Sequence, residues 1–157
     1  MKPTSSELSE NERNWIAEQL AGAAEFIETF SPPDTGAISL AALDRAFASW
    51  LATAESDTQA INKSINLVGI AFGQSLVDVA GFEWVIATDE QGSDIAVLAL
   101  PDTGRVLVYP TDFVAKRWEQ GECDFLQASF RTIARQVEVI GQEHASAKAM
   151  KPRWKLW

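Results

Sequence analysis

Apolar positions recur at helical spacing three times in the first half of the chain. Ile16, Leu20, Ala23, Ile27 and Phe30 fall on one face of a helix. Ser9-Glu10-Asn11-Glu12 ahead of them has the form of a capping box, in which the Ser hydroxyl accepts a free backbone N–H and the Glu reaches back. Ser31-Pro32-Pro33-Asp34-Thr35-Gly36 ends this helix, because successive prolines cannot continue the hydrogen-bond ladder. Leu40, Leu43, Phe47, Trp50 and Leu51 then mark a second helix from about Ser39 to Ala54. Asp57 is placed to cap a third, which runs to Ala80, is closed by a left-handed Gly81 and is about 36 Å long. Its seam of Ile61, Ile65, Val68, Phe72, Leu76 and Val79 is widened by Leu67, Ile70, Ala71 and Val77, as expected of a central helix buried over much of its girth. Gly69 and Gly73, four apart, would let another backbone approach it closely.

The period then switches. Phe82 to Thr88, Asp94 to Leu100 and Arg105 to Tyr109 are short runs rich in β-branched and aromatic residues, separated by two Gly-containing turns. Loops this short join only antiparallel neighbours, so the runs predict a three-stranded meander. Trp84, Ile86, Ile95 and Val97 fall on one face and Val85, Ala87, Ala96 and Leu98 on the other, so both faces need cover. After Pro110, Thr111 or Asp112 is expected to cap a short helix through about Gly121, and Asp124 a last one to about Glu143 along Leu126, Phe130, Ile133, Val137 and Ile140. The expected fold is a single α+β domain. It comprises an N-terminal helical hairpin (1–56), a core (57–143) of long central helix, three-stranded antiparallel meander and two C-terminal helices, and an extended or loosely docked basic tail (144–157).

Charge narrows the function classes. The 157 residues carry 13 Lys+Arg against 22 Asp+Glu. Every acid precedes His144, whereas the tail holds four basic residues and two Trp. An anionic body repels the phosphate backbone, which excludes a general nucleic-acid binder and favours basic partners. A domain of about 150 residues buries roughly 70% of its unfolded surface and needs no cross-links. Cys123 is the single cysteine, as expected in a reducing cytoplasm. The first residues hold no apolar leader, and the longest apolar run, Leu67 to Gly73, is far short of the roughly 20 residues of a membrane span.

Catalytic chemistry has little to work with. His144, the one histidine, falls at the end of the last helix, and Cys123 stands between Glu122 and Asp124, which disfavour a thiolate. Gly73-Gln74-Ser75-Leu76-Val77 lacks the second glycine of a nucleophile elbow, and no phosphate-cradling or dinucleotide loop occurs, so neither cofactor nor enzyme activity is expected. Glu83, Asp89, Glu90, Asp94 and Asp102 match no calcium loop, and acids beside a Gly turn more commonly brace the turn. With Tyr109, several of them could instead line a pocket. Trp15, Trp50 and Trp84 read as core, while Trp118, beside Lys116 and Arg117, and the tail pair Trp154 and Trp157 read as surface that recognises a partner or docks on the acidic body.

Gly69-Ile70-Ala71-Phe72-Gly73, Phe82-Glu83-Trp84-Val85-Ile86-Ala87-Thr88-Asp89-Glu90-Gln91-Gly92-Ser93-Asp94, Val108-Tyr109-Pro110 and Lys116-Arg117-Trp118-Glu119-Gln120-Gly121-Glu122 form an ordered set of blocks. Over about residues 62–140 the chain resembles the bacterial family called domain of unknown function 3806. The resemblance implies a shared fold and assigns no catalytic or binding residue. The expected role is a non-catalytic, cytoplasmic bacterial protein-interaction module of inhibitor, immunity or adaptor type, with a protein partner that includes a second copy of itself as a homodimer. The alternative is a small-molecule binder or weak hydrolase with a pocket between meander and helices. The candidate surface comprises Glu83, Asp89, Glu90, Asp94, Tyr109, Lys116, Arg117, Trp118, Trp154 and Trp157.

Overall fold

The computed structural model describes residues 3–33 and 37–154, with side chains as far as 147. Strand β1 (Thr4–Ser6) precedes helices α1 (Glu10–Phe30), α2 (Leu40–Ala52) and α3 (Thr58–Val79). Strands β2 (Glu83–Asp89), β3 (Gly92–Ala99) and β4 (Val106–Val108) follow, then helices α4 (Pro110–Glu119) and α5 (Leu126–Trp154). The local signals act as their chemistry requires at the first three helices. Glu12 N–H donates to Ser9 Oγ at 3.2 Å while Ser9 N–H donates to Glu12 Oε1 at 2.7 Å, and this pairing holds the Glu12 carboxyl below its ordinary range. Ala42 N–H donates to Ser39 Oγ, and Ala60 N–H to Asp57 Oδ2. Gly81, at φ +75°, supplies the left-handed turn out of α3.

The sheet has four antiparallel strands in the order β1-β2-β3-β4, one more than the meander expected from sequence. The additional strand, Thr4-Ser5-Ser6, pairs with Ile86–Thr88 at the sheet edge and is exposed at every position. With nothing to bury it has no apolar alternation, so periodicity cannot reveal it. β2 and β3 run in register from Glu83↔Leu98 to Asp89↔Gly92, and β4 pairs with β3 through Val97↔Val108.

Helix α3 packs against all four other helices' neighbourhood: α1, α2, α4, α5 and strand β3 all touch it. Phe72, Val68 and Leu76 are fully buried there, and Val97 and Ala99 bring one sheet face into the same core. The other face closes over a second, smaller cluster of Val85, Ala87, Ala96 and Leu98, flanked by Leu107 and Tyr109. The α3 glycines are used as expected. A Cβ on Gly69 would stand 2.8 Å from Thr111 Cα, and one on Gly73 would stand 2.6 Å from Trp84 Cη2, so α4 and the Trp84 ring lie directly on the helix backbone. Trp84 Nε1 donates to Gln74 Oε1 at 2.9 Å, which fixes the ring.

Several expectations are corrected. Val79 is 74% exposed at the last turn of α3, beyond the packed length of its seam, and Trp15 and Trp84 are half-buried where Trp50 is 4% exposed. Helix α4 begins on Pro110, whose fixed φ suits the first turn, with Tyr109 as N-cap and no side-chain capping bond from Thr111 or Asp112. Asp124, at φ +58°, does not cap α5. Asp44 of α2 does so: Leu126 N–H donates to its Oδ1 at 2.8 Å and Gln127 N–H to its Oδ2 at 3.1 Å. Burial pushes this carboxyl up from its ordinary range, and the two N–H bonds oppose that push. Finally, α5 continues beyond Glu143 to Trp154 in place of an extended tail, since Ala145, Ala147, Lys148 and Ala149 are helix formers and nothing before Pro152 breaks the ladder. Among the described residues no helix is long and apolar enough to cross a membrane.

Candidate functional site

Strand parity gathers polar groups at one end of the sheet. Residues two apart share a face, so Ala87 and Asp89 of β2 stand beside Asp94 and Gly92 of β3, as the register Ala87↔Asp94 and Asp89↔Gly92 shows. Tyr109, two residues after Leu107 on that face, leads directly into α4, whose first turn carries Asp112. Asp89, Asp94, Asp112 and Tyr109, with Gln91 and Ser93, line an open cleft of about 360 Å³.

The turn itself is braced. Gln91 N–H donates to Asp89 Oδ1 at 2.8 Å, and the Thr88 and Ser93 hydroxyls meet at 2.7 Å. Ile95 N–H donates to Asp94 Oδ1 at 2.8 Å. Loss of surrounding water raises the Asp94 carboxyl above its ordinary range against that hydrogen bond, and the negative charge of Asp112 adds to the rise. The Tyr109 phenol is raised too, by burial first and then by Asp89, Asp94 and Asp112. Three carboxyls therefore surround a phenol held in its protonated form. Among the described residues no group of three His, Cys, Asp or Glu is arranged to hold a metal ion. The chemistry on offer is that of hydrogen-bond acceptors and negative charge, suited to a cationic group with N–H donors.

Asp112 adds to a rise in the Asp94 titration that burial dominates. Because the native pKa of Asp94 lies above its ordinary 3.8, ionising it costs the fold; its contribution to stability is full below that value and is lost as pH rises through the native value. Asp112→Asn is expected to lower the Asp94 titration midpoint, followed by carboxyl NMR, while leaving it above the ordinary value because burial remains. An unmoved midpoint would show that Asp112 does not act on Asp94.

Only part of the candidate surface converges. Asp89, Asp94 and Tyr109 come together, and Asp112, considered from sequence only as a helix cap, joins them. Its signal was its position three residues beyond Tyr109 in the first turn after a proline. Glu83 is exposed at the opposite end of β2, about 20 Å away at the strand rise per residue. Glu90 is exposed at the turn tip, outside the cleft lining. On α4, Lys116 is exposed, and the Arg117 guanidinium lies 3.8 Å from the Phe113 ring centre. Trp118 packs half-buried on the core and lines a separate hollow with Trp50 and Leu51. The Trp154 side chain and Trp157 lie outside the described residues. Cys123 is exposed, with its thiol pushed up by desolvation and by Asp124, and His144 stands roughly 27 Å along α5 from Leu126.

A family model described as "Domain of unknown function (DUF3806)" matches residues 43–128, which contain both Asp44 and every residue of the cleft. No curated protein matches the chain. A crystal structure from Bacteroides thetaiotaomicron VPI-5482 is similar in fold, with a TM-score of 0.64 and 13% sequence identity. The alignment covers 84% of this chain and 47% of that one, so this chain spans about half the length of its structural neighbour.

Proposed function

The chain belongs to the family of domain of unknown function DUF3806, and from that premise we propose that it is a non-catalytic cytoplasmic binding module whose acidic cleft receives a basic side chain of a protein partner. The observation that carries this reading is the convergence of Asp89, Asp94 and Asp112 on the protonated Tyr109 phenol in one small opening. No Lys, Arg or His is among the described residues that line it, so the negative charge there is directed to a visitor. A guanidinium or ammonium entering the cleft would exchange water for charge-assisted hydrogen bonds, and the net charge of −9 would steer a basic surface toward it. The volume is near the lower end of ligand pockets, which suits one side chain better than a large cofactor.

The same convergence favours a small cationic ligand as a second reading. A short Arg-containing peptide titrated by calorimetry separates the outcomes. Asp89→Asn, Asp94→Asn and Asp112→Asn combined are expected to weaken peptide binding at least about tenfold, from three charge contacts, at exposed Asp94 and Asp112 and half-buried Asp89, of roughly 0.5 kcal/mol each. The affinity should fall with added salt. Equal affinity of the triple variant and the unmodified chain would sink the proposal. If free arginine or a short diamine binds as tightly as the peptide, the small-ligand reading replaces it.

A further inference from the structure

A second concavity, which shares no described residue with the acidic cleft, opens between α1, the C-terminal end of α2 and the first turns of α3, with a volume of about 790 Å³. Its floor is aromatic: Phe26 lies 4.9 Å from Phe30 and 6.2 Å from Trp50, ring centre to ring centre. Its rim carries Glu18, Glu25 and Glu55, all exposed, against one positive residue, Lys63, among the described residues. The smaller hollow at Trp118 shares Trp50 and Glu55 with it, so the two form one continuous depression.

Two nearly buried donors in its walls point to an occupant. Ser64 is 9% exposed and Trp50 4%, yet neither the Ser64 hydroxyl nor the Trp50 indole N–H has a hydrogen-bond partner among the described residues. Thr29, Ser75 and Thr132 show the usual arrangement for a hydroxyl on a helix, donation to the carbonyl four residues back at 2.9–3.1 Å, and Ser64 departs from it. No side-chain nitrogen or oxygen among the described residues is both enclosed and unpaired, so the two groups open into the depression their residues line. An occupant must bring acceptors to these donors, apolar surface to the rings and positive charge to the rim. A helical backbone cannot, because its carbonyls are spent within its own ladder. A polyproline II segment can: it has no internal hydrogen bonds, its carbonyls are free, and its stiffness limits the entropy lost in an aromatic-lined groove. We infer that the α1–α2–α3 groove binds a proline-rich, arginine-flanked segment of a partner protein. Trp50 N–H and the Ser64 hydroxyl donate to its backbone carbonyls, its prolines lie on the Phe26–Phe30–Trp50 floor, and its arginines face the glutamate rim.

Calorimetric titration with a peptide of about ten residues, proline and leucine with an arginine at each end, tests the inference. It is run on the full chain carrying Asp89→Asn, Asp94→Asn and Asp112→Asn, so that arginine cannot report the acidic cleft instead, and failure here leaves the reading of that cleft untouched. The peptide is expected to bind with a Kd below about 100 µM. Adding Ser64→Ala should weaken it about fivefold, the loss of one neutral hydrogen bond, without lowering the melting temperature, because the hydroxyl holds nothing in the free chain. Adding Glu18→Gln, Glu25→Gln and Glu55→Gln combined should weaken it at least about tenfold, as should replacing the peptide's prolines with alanine, which favours a helix. The Trp50 indole N–H resonance, assigned through its loss in Trp50→Phe, should move as the peptide is added. No binding at about 1 mM peptide overturns the inference. So does equal affinity for the alanine peptide, or a Ser64→Ala chain that binds as tightly as its parent.

Discussion

Replacing Asp44 with alanine is expected to lower the stability of the fold by about 3 kcal/mol, the largest effect of any single polar substitution in this molecule. Asp44 is 7% exposed on α2, yet its two carboxylate oxygens receive the first free N–H groups of α5, from Leu126 and Gln127. The residue before Leu126 is Phe125, whose side chain has no acceptor to offer. Alanine would leave the buried Leu126 donor unsatisfied, return the Gln127 N–H, on an exposed residue, to water, and remove a negative charge from the positive end of the helix dipole. Asp44→Asn keeps one oxygen and is expected to lose roughly half as much. Urea unfolding gives the measurement: the midpoint should fall at unchanged slope, with a melting temperature lower by roughly 6–12 °C for Asp44→Ala in a chain of this length. A loss below about 0.5 kcal/mol would mean that water takes over the cap, and the assignment would be wrong.

Gly69→Val is expected to cost about 3 kcal/mol for the opposite reason, too much volume. Even the first added carbon would lie 2.8 Å from Thr111 Cα and 3.0 Å from the Pro110 carbonyl oxygen. Those are backbone atoms of the first turn of α4, so no rotamer change relieves the contact and the helix must move. Glycine is a poor helix former, and alanine here would recover about 1 kcal/mol of propensity, which overpacking of 1–3 kcal/mol cancels or exceeds. Valine adds two further methyl groups and recovers less. Gly73 meets two rigid rings, Trp84 Cη2 at 2.6 Å and Pro110 Cγ at 3.0 Å, the first held by Gln74 and the second fully buried, so Gly73→Ala should overpack as well. Asp112 adjoins Thr111, and a displaced α4 carries it away from Asp94. Gly69→Val should therefore also lower the Asp94 titration midpoint. Loss of stability with an unchanged midpoint would show that α4 stays in place and that the strain goes elsewhere.

Much of the candidate site was legible at the level of single strands. Asp89 and Asp94 flank a glycine turn in a run of alternating β residues, and Tyr109 ends the next run, so their common face follows from parity and register. Asp112 was not legible as a partner, because its distance from Asp94 depends on where α4 docks, and that docking depends on two glycines of a helix some 40 residues earlier. Glu83 illustrates the converse. It shares a strand and a parity with Asp89, but a strand of seven residues separates its ends by about 20 Å.

The sequence by itself determined the elements whose causes lie within a few residues: the Ser9–Glu12 and Asp57 caps, the start of α2 near Ser39, the Gly81 exit, the seam of α3 and the turns of the sheet. It also determined the charge asymmetry and, through Gly69 and Gly73, that something would lie close on α3. The tertiary structure alone decided what lies there, which carboxylate caps α5, and which acids meet at Tyr109. Capping and periodicity act between residues three or four apart and leave a mark in the chain. Asp44 and Leu126 are separated by 82 residues, and a hydrogen bond across that interval exists only once α2 and α5 have packed on the same core. Even the fourth strand belongs with these: Thr4-Ser5-Ser6 buries nothing and takes its conformation from the open edge of β2.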